Sequence, residues 1–137
     1  MMIALLAIHV LAAAFWLGST LLLVGVVTPA LAAAGPDVAQ HFAPQLFQRV
    51  PRALGVAGAT TILSGLWLYW IVSGGFNSGF ARSTGGGLIG IGALCGIAAV
   101  FTGIITGRLQ ERGRAFAVAS AALLVCALTL MIVGSRV

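Results

Sequence analysis

The chain has 137 residues, of which 61% are hydrophobic and 7% charged, with a formal net charge of +5 and a mean hydropathy of +1.15. This composition excludes a soluble globular domain. It also excludes nucleic acid as the reason for the positive charge, because the seven basic residues, all arginine, flank apolar runs and form no single patch.

A helix crosses the hydrocarbon with about 20 apolar residues at roughly 1.5 Å each. Four runs supply this, at about 3–28, 53–73, 87–107 and 115–135. The expected fold is therefore all-α: a polytopic membrane protein whose four transmembrane helices form one antiparallel bundle spanning residues 1–137. A short interfacial amphipathic segment is expected between helices 1 and 2.

The first run, IALLAIHVLAAAFWLGSTLLLVGVVTPAL, is too long for the apolar region of a signal peptide and no Lys or Arg precedes it. Despite the Ala-Leu-Ala at 30–32, it reads as a retained span. Pro29 lacks the donor that would continue the helix and disfavours helix in the residue before it, which predicts an end at Thr28. In the connection that follows, Gly35-Pro36-Asp37 reads as a turn into a short helix, with Asp37 able to cap free amides. Pro44 and Pro51 are expected to cut the rest into pieces of a turn or two. Phe42, Leu46, Phe47 and Val50, set among Gln40, His41, Gln45, Gln48 and Arg49, fit a segment lying in the interface.

The second run ends in Trp67, Tyr69 and Trp70, residues that prefer the headgroup level and so mark a membrane boundary. The glycine-rich loop after it, SGGFNSGFARSTGGG, reads as a mobile link. On the third run Gly92, Gly96, Ala99, Gly103 and Gly107 fall within a sector of about 80°. Such a stripe lets helix backbones approach closely, or makes room for a flat cofactor. The fourth run offers Ala115, Ala119, Ala122, Cys126 and Thr129 on one face as its packing partner.

Arginine placement predicts orientation. Arg49, Arg52, Arg108, Arg112 and Arg114 lie in the first and third connections, against Arg82 and Arg136 on the other side. The excess places the first and third connections in the cytoplasm and both termini outside, as for a bacterial inner-membrane protein whose third-connection arginines meet anionic lipid. A reporter fused after residue 80 is expected to read non-cytoplasmic, and a cytoplasmic signal would reverse the assignment.

Few residues can carry chemistry. Asp37 and Glu111 both lie in connections and there is no lysine, so hydrolysis by paired carboxylates, Schiff-base chemistry and proton transfer through buried acids have no evident residues. His9 stands about 9 Å below the outer end of the first helix. An imidazole in lipid needs a partner, so it should face the bundle, on a stripe with Ala13, Trp16, Thr20 and Val27. Matching depths along the helices brings Trp67, Cys95, Cys126, Thr129 and Met131 near its level. Two readings are open. His9 with Cys95, Cys126 and Met131 is a set that Cu(I) favours, and His9 facing the Gly92 and Gly96 groove, with Trp16 and Trp67, would suit a b-type haem. Alternatively His9 is hydrogen-bonded to a neighbouring hydroxyl or carbonyl, and the cysteines and Trp16 only pack. His41 lies on the opposite side of the membrane and shares no site with His9.

The stretch HVLAAAFWLG from His9, the Pro-Ala-Leu after it and ILSGLWL in the second span resemble the CopD family of copper-resistance membrane proteins and the related HemJ-type four-helix proteins. The likeness covers roughly residues 5 to 70. It implies a bundle in which His9 is the metal- or haem-associated position, handling copper or haem. The chain differs from the copper proteins in having only four helices, and from the HemJ type in lacking an intramembrane lysine. Two further classes stand beside this one: an accessory subunit packing against a larger respiratory or photosynthetic membrane complex, and a small transporter or channel made by homo-oligomerisation.

Overall fold

The computed structural model describes the backbone of residues 1–108 and 113–137, and side chains there except at 39, 43, 45–48, 104–108, 113–114 and 116. Glu111 and Arg112, and the side chains of Gln45, Leu46, Phe47, Gln48, Arg108 and Arg114, thus lie outside the described residues, as does the surface at Gly107. Every regular element among the described residues is helical: α1 (Met2–Leu22), a π-helical turn (Leu23–Val27), α2 (Thr28–Ala33), α3 (Pro36–Val72), α4 (Ser78–Arg82), α5 (Thr84–Arg108) and α6 (Gly113–Gly134). Four stretches are long and apolar enough to cross a membrane, Met2–Ala33, Arg49–Val72, Thr84–Gly103 and Ala117–Gly134. Helix is the form such sequences must take in lipid, where backbone groups have only one another as partners.

The prolines act differently from expectation. The first helix does not stop at Thr28 but continues to Ala33. The Thr28 N–H donates to the Leu23 carbonyl, five residues back. This wider turn accommodates Pro29, whose ring would crowd the carbonyl four residues earlier and which has no donor to give. The chain then reverses at Gly35, where φ is 94°, a value that glycine adopts without strain. Pro36 occupies the first turn of α3, where its missing N–H costs nothing, and Asp37 stands in the same turn, near the helix's positive end. Pro44 and Pro51 lie inside α3, which runs unbroken for 37 residues. The connection expected as short pieces is thus the beginning of the second spanning helix. At 1.5 Å per residue α3 is about 55 Å long, more than the roughly 40–45 Å of a whole bilayer, so part of it projects beyond the membrane.

The four spans pack in a ring, α1 on α3, α3 on α5, α5 on α6 and α6 on α1. Their centre is a cluster with one buried residue from each: Trp16, Ala57, Ala99 and Leu124. Trp16 reaches this position because α3 offers a glycine beneath it, a Cβ on Gly58 standing 3.3 Å from the indole.

The α5–α6 seam is the most extensive. Small residues recur every seven on both helices, Gly85, Gly92 and Ala99 on one, Ser120, Ala127 and Gly134 on the other. They meet in pairs, with numbers rising along α5 as they fall along α6. A Cβ on Gly85 would lie 2.7 Å from the Gly134 carbonyl oxygen, and one on Gly92 3.1 Å from that of Ala127. The Ser120 hydroxyl donates to the Ala99 carbonyl at 3.0 Å. The third-span stripe therefore packs, as one of its two readings held, at Gly92 and Ala99. The partner face is a correction: Ala115, Ala119, Ala122, Cys126 and Thr129 are exposed, and Ser120, Leu124, Ala127 and Gly134 are buried. Neighbours at heptad spacing decided the face, and small size alone did not select it.

The glycine-rich loop has a defined path. Gly74, Gly75 and Phe76 take successive positive φ values, and the Phe76 N–H donates to the Ser73 hydroxyl at 2.8 Å. Asn77 caps α4 by accepting from Gly79 N–H, and the rings of Phe76 and Phe80 pack on Tyr69.

Candidate functional site

His9 sits half-buried at the α1–α3 seam. Its stripe follows the expected line, with Trp16 and Thr20 buried and Ala13 and Val27 half-buried. Across from it α3 carries three hydroxyl residues and a glycine, in the order Thr60, Thr61, Ser64, Gly65. The imidazole lies over Gly65, where an added Cβ would stand 2.8 Å from His9 Cε1. His9 Nδ1 is 2.9 Å from the Thr61 carbonyl oxygen and 3.2 Å from Ser64 Oγ.

This geometry sets the tautomer. A carbonyl oxygen only accepts, so the proton is on Nδ1, which donates to Thr61 and, in bifurcated fashion, to Ser64. The Ser64 hydroxyl hydrogen is already committed to the Thr60 carbonyl, which leaves its oxygen free to accept from the ring. In the neutral imidazole Nε2 then carries the lone pair, and no hydrogen bond reaches it among the described residues. A backbone carbonyl holding one ring nitrogen so that the other presents its lone pair is the arrangement that orients metal-ligating histidines.

The other predicted residues divide between seams. Trp16 shares the α1–α3 seam with His9, but as the centre of the core at 6% exposure. Trp67 lies close to His9's level on α3 yet is 56% exposed and turned outward. Gly92 is covered by Met131 and Ala127, whereas a Cβ on Gly96 would meet nothing within 4 Å. Cys95 is half-buried on α5 and Cys126 is exposed on α6. His9, Cys95, Cys126 and Met131 are not gathered into one copper set. No group of three His, Cys, Asp or Glu side chains placed to hold a metal occurs among the described residues. Equal depth is not adjacency: among the described residues the backbone of α1 runs beside α3 and α6, and α1 meets α5 through the Trp16 indole in the core cluster. His41 is exposed, its ring edge-on to Phe42.

Sequence reasoning missed Thr61, Ser64 and Gly65. The signal was three hydroxyl residues and a glycine within six positions of an otherwise apolar span, part of it in the ILSGLWL stretch already singled out. Gly65→Ala is expected to displace the imidazole, since its Cβ falls inside the contact distance of Cε1. With helix content unchanged, the His9 ring resonances should shift strongly by NMR; an unmoved ring would show that Gly65 is not its seat.

Compared with protein-family profiles, curated proteins and solved structures, the chain matches none.

Proposed function

We propose that the chain is a small inner-membrane protein, an antiparallel four-span bundle with both termini outside, that binds b-type haem through His9 Nε2 in the outer half of the membrane. In this reading the early part of α3 lies at the cytoplasmic interface. The observation that supports it is the placement of the ring, with Nδ1 2.9 Å from the Thr61 carbonyl oxygen and no hydrogen bond to Nε2 among the described residues. One histidine suffices as an axial haem ligand, whereas a copper site calls for further donors at the same seam. The resemblance of the first two spans to CopD and HemJ-type proteins points the same way.

The roles of the residues follow. Thr61 and Ser64 orient the imidazole and raise the basicity of Nε2, Gly65 gives the ring its seat, and Trp16 holds α1 to α3 seven residues further on. Haem held by one axial histidine would supply one-electron chemistry, with its potential tuned by that hydrogen bond. The test is an absorption spectrum with metal analysis of protein purified from haem-replete cells. A Soret band with stoichiometric iron is expected; a colourless protein free of iron overturns the reading.

A second reading, an accessory subunit of a larger membrane complex, is favoured by one observation. Among the described residues every buried side-chain polar atom already has a hydrogen-bond partner, as befits a helper that works through its apolar faces. It predicts co-purification with a large complex in mild detergent, and a discrete small oligomer would count against it.

A further inference from the structure

We propose that the groove between the end of the first helix and α6 seats one anionic phospholipid, with its acyl chains in the groove and its phosphate at the arginine-bearing end of the bundle. The groove holds about 550 Å³ and is walled by Leu21, Val24 and Gly25 on one side and by Val118, Ala122 and Val125 on the other. Its room comes from the first helix, where Gly25 lies in the π-helical turn Leu23–Val27 and brings no side chain; a Cβ there would meet nothing within 4 Å. Along α6 the wall runs from Val118 to Cys126, a rise of about 12 Å. Spread over that length the groove has a cross-section of about 45 Å², against about 80 Å² for a helix 10 Å across. A second span is too broad for it, whereas slender, flexible hydrocarbon chains fit.

Charge selects the kind of lipid. The apolar stretch of α6 is Ala117–Gly134, so the Val118 end of the groove opens where the span meets the headgroups. Helical register puts Arg114 one turn before Val118 on the same helix. On the other side, the contacts of His9 with Gly65 and of Trp16 with Gly58 fix the register of α3 against α1. In that register the exposed Arg52 is level with Leu22, and the exposed Arg49 with Gly25. Basic sites between spans at a membrane surface bind acidic lipid headgroups. A phosphate without a compensating ammonium complements this end of the bundle, and a zwitterionic lipid would bring a cation to it. Neither His9 nor the sidedness of the membrane enters, so the outcome is independent of the function proposed above.

The experiment uses the full chain in mild detergent, stripped of lipid and offered mixed micelles containing dioleoyl phosphatidylglycerol or dioleoyl phosphatidylcholine, with retained lipid counted by native mass spectrometry. The expected result is one phosphatidylglycerol held per chain, and about tenfold less phosphatidylcholine. Gly25→Leu combined with Ala122→Leu fills the groove and should abolish retention, with helix content and unfolding midpoint unchanged because both positions are exposed. Gly25→Leu alone repeats the test should the pair disturb the bundle. Arg114→Gln and Arg52→Gln should each weaken phosphatidylglycerol retention about fivefold, whereas Arg82→Gln and Arg136→Gln, at the other end, should leave it as it is. Equal retention of the two lipids, retention that survives the filled groove, or equal losses from arginines at both ends would overturn the proposal.

Discussion

On the haem-binding role proposed above, His9→Ala is expected to yield a protein that folds, inserts and purifies like the parent but shows neither the Soret band nor the iron that the proposal gives the parent. The two effects separate because of how the histidine is held. The Thr61 carbonyl that accepts from Nδ1 also accepts the N–H of Gly65 within α3, and the Ser64 hydroxyl donates to Thr60 whether or not the ring is present. Removing the imidazole therefore leaves no buried polar group unpaired, and the stability cost is that of one interhelical hydrogen bond, about 0.6 kcal/mol. The ligand, by contrast, disappears entirely. Exogenous imidazole should restore the band in part. A variant that keeps the full band would show that the iron is held elsewhere.

Trp16→Ala should produce the largest loss of stability of any single change in the chain. The indole fills the point where all four spans meet and is the bulkiest side chain of that cluster, beside the equally buried Leu124. Trp→Ala costs about 3–5 kcal/mol in soluble cores, where transfer from water and the residual cavity both contribute. In a bilayer the unpacked helices rest in lipid, as apolar as the core, so the transfer part falls away and the packing part remains. A cost near the lower end, about 3 kcal/mol, is the expected outcome, read as a lowered midpoint in detergent unfolding. The neighbouring Phe15, 54% exposed on the lipid side, is the control. Phe15→Ala should shift stability by no more than about 0.5 kcal/mol. Equal shifts at the two positions would refute the packing described for Trp16.

The stripe of His9, Trp16 and Thr20 was readable because a polar or amphipathic group in lipid has one economical place to go, against another helix. What it would meet there was not readable. Thr61, Ser64 and Gly65 lie more than fifty positions away in the chain, and only the pairing of α1 with α3 brings them under the ring. Depth matching failed in the complementary way: His9 was grouped with Cys95 and Cys126, although His9 sits at the α1–α3 seam and the cysteines are on α5 and α6. The prolines show a third limit. A missing donor and a steric clash are local facts, yet their outcome was a π-helical turn at Leu23–Val27 and an unbroken α3. Helices in a membrane environment tolerate proline where the surrounding backbone can re-satisfy itself.

By itself the amino-acid order determined that the chain is helical, where four apolar spans occur and which residues are polar within them. These are consequences of composition and of a solvent that offers the backbone no hydrogen bonds. Only the tertiary structure decided which face of each span is inside. The sixth helix buries Ser120, Leu124 and Ala127 and leaves its Ala119, Ala122 and Cys126 side open. With apolar residues all round, no difference in hydropathy singles out a face, and the choice falls to close packing: glycine against carbonyl along the α5–α6 seam, indole over Gly58, and imidazole over Gly65.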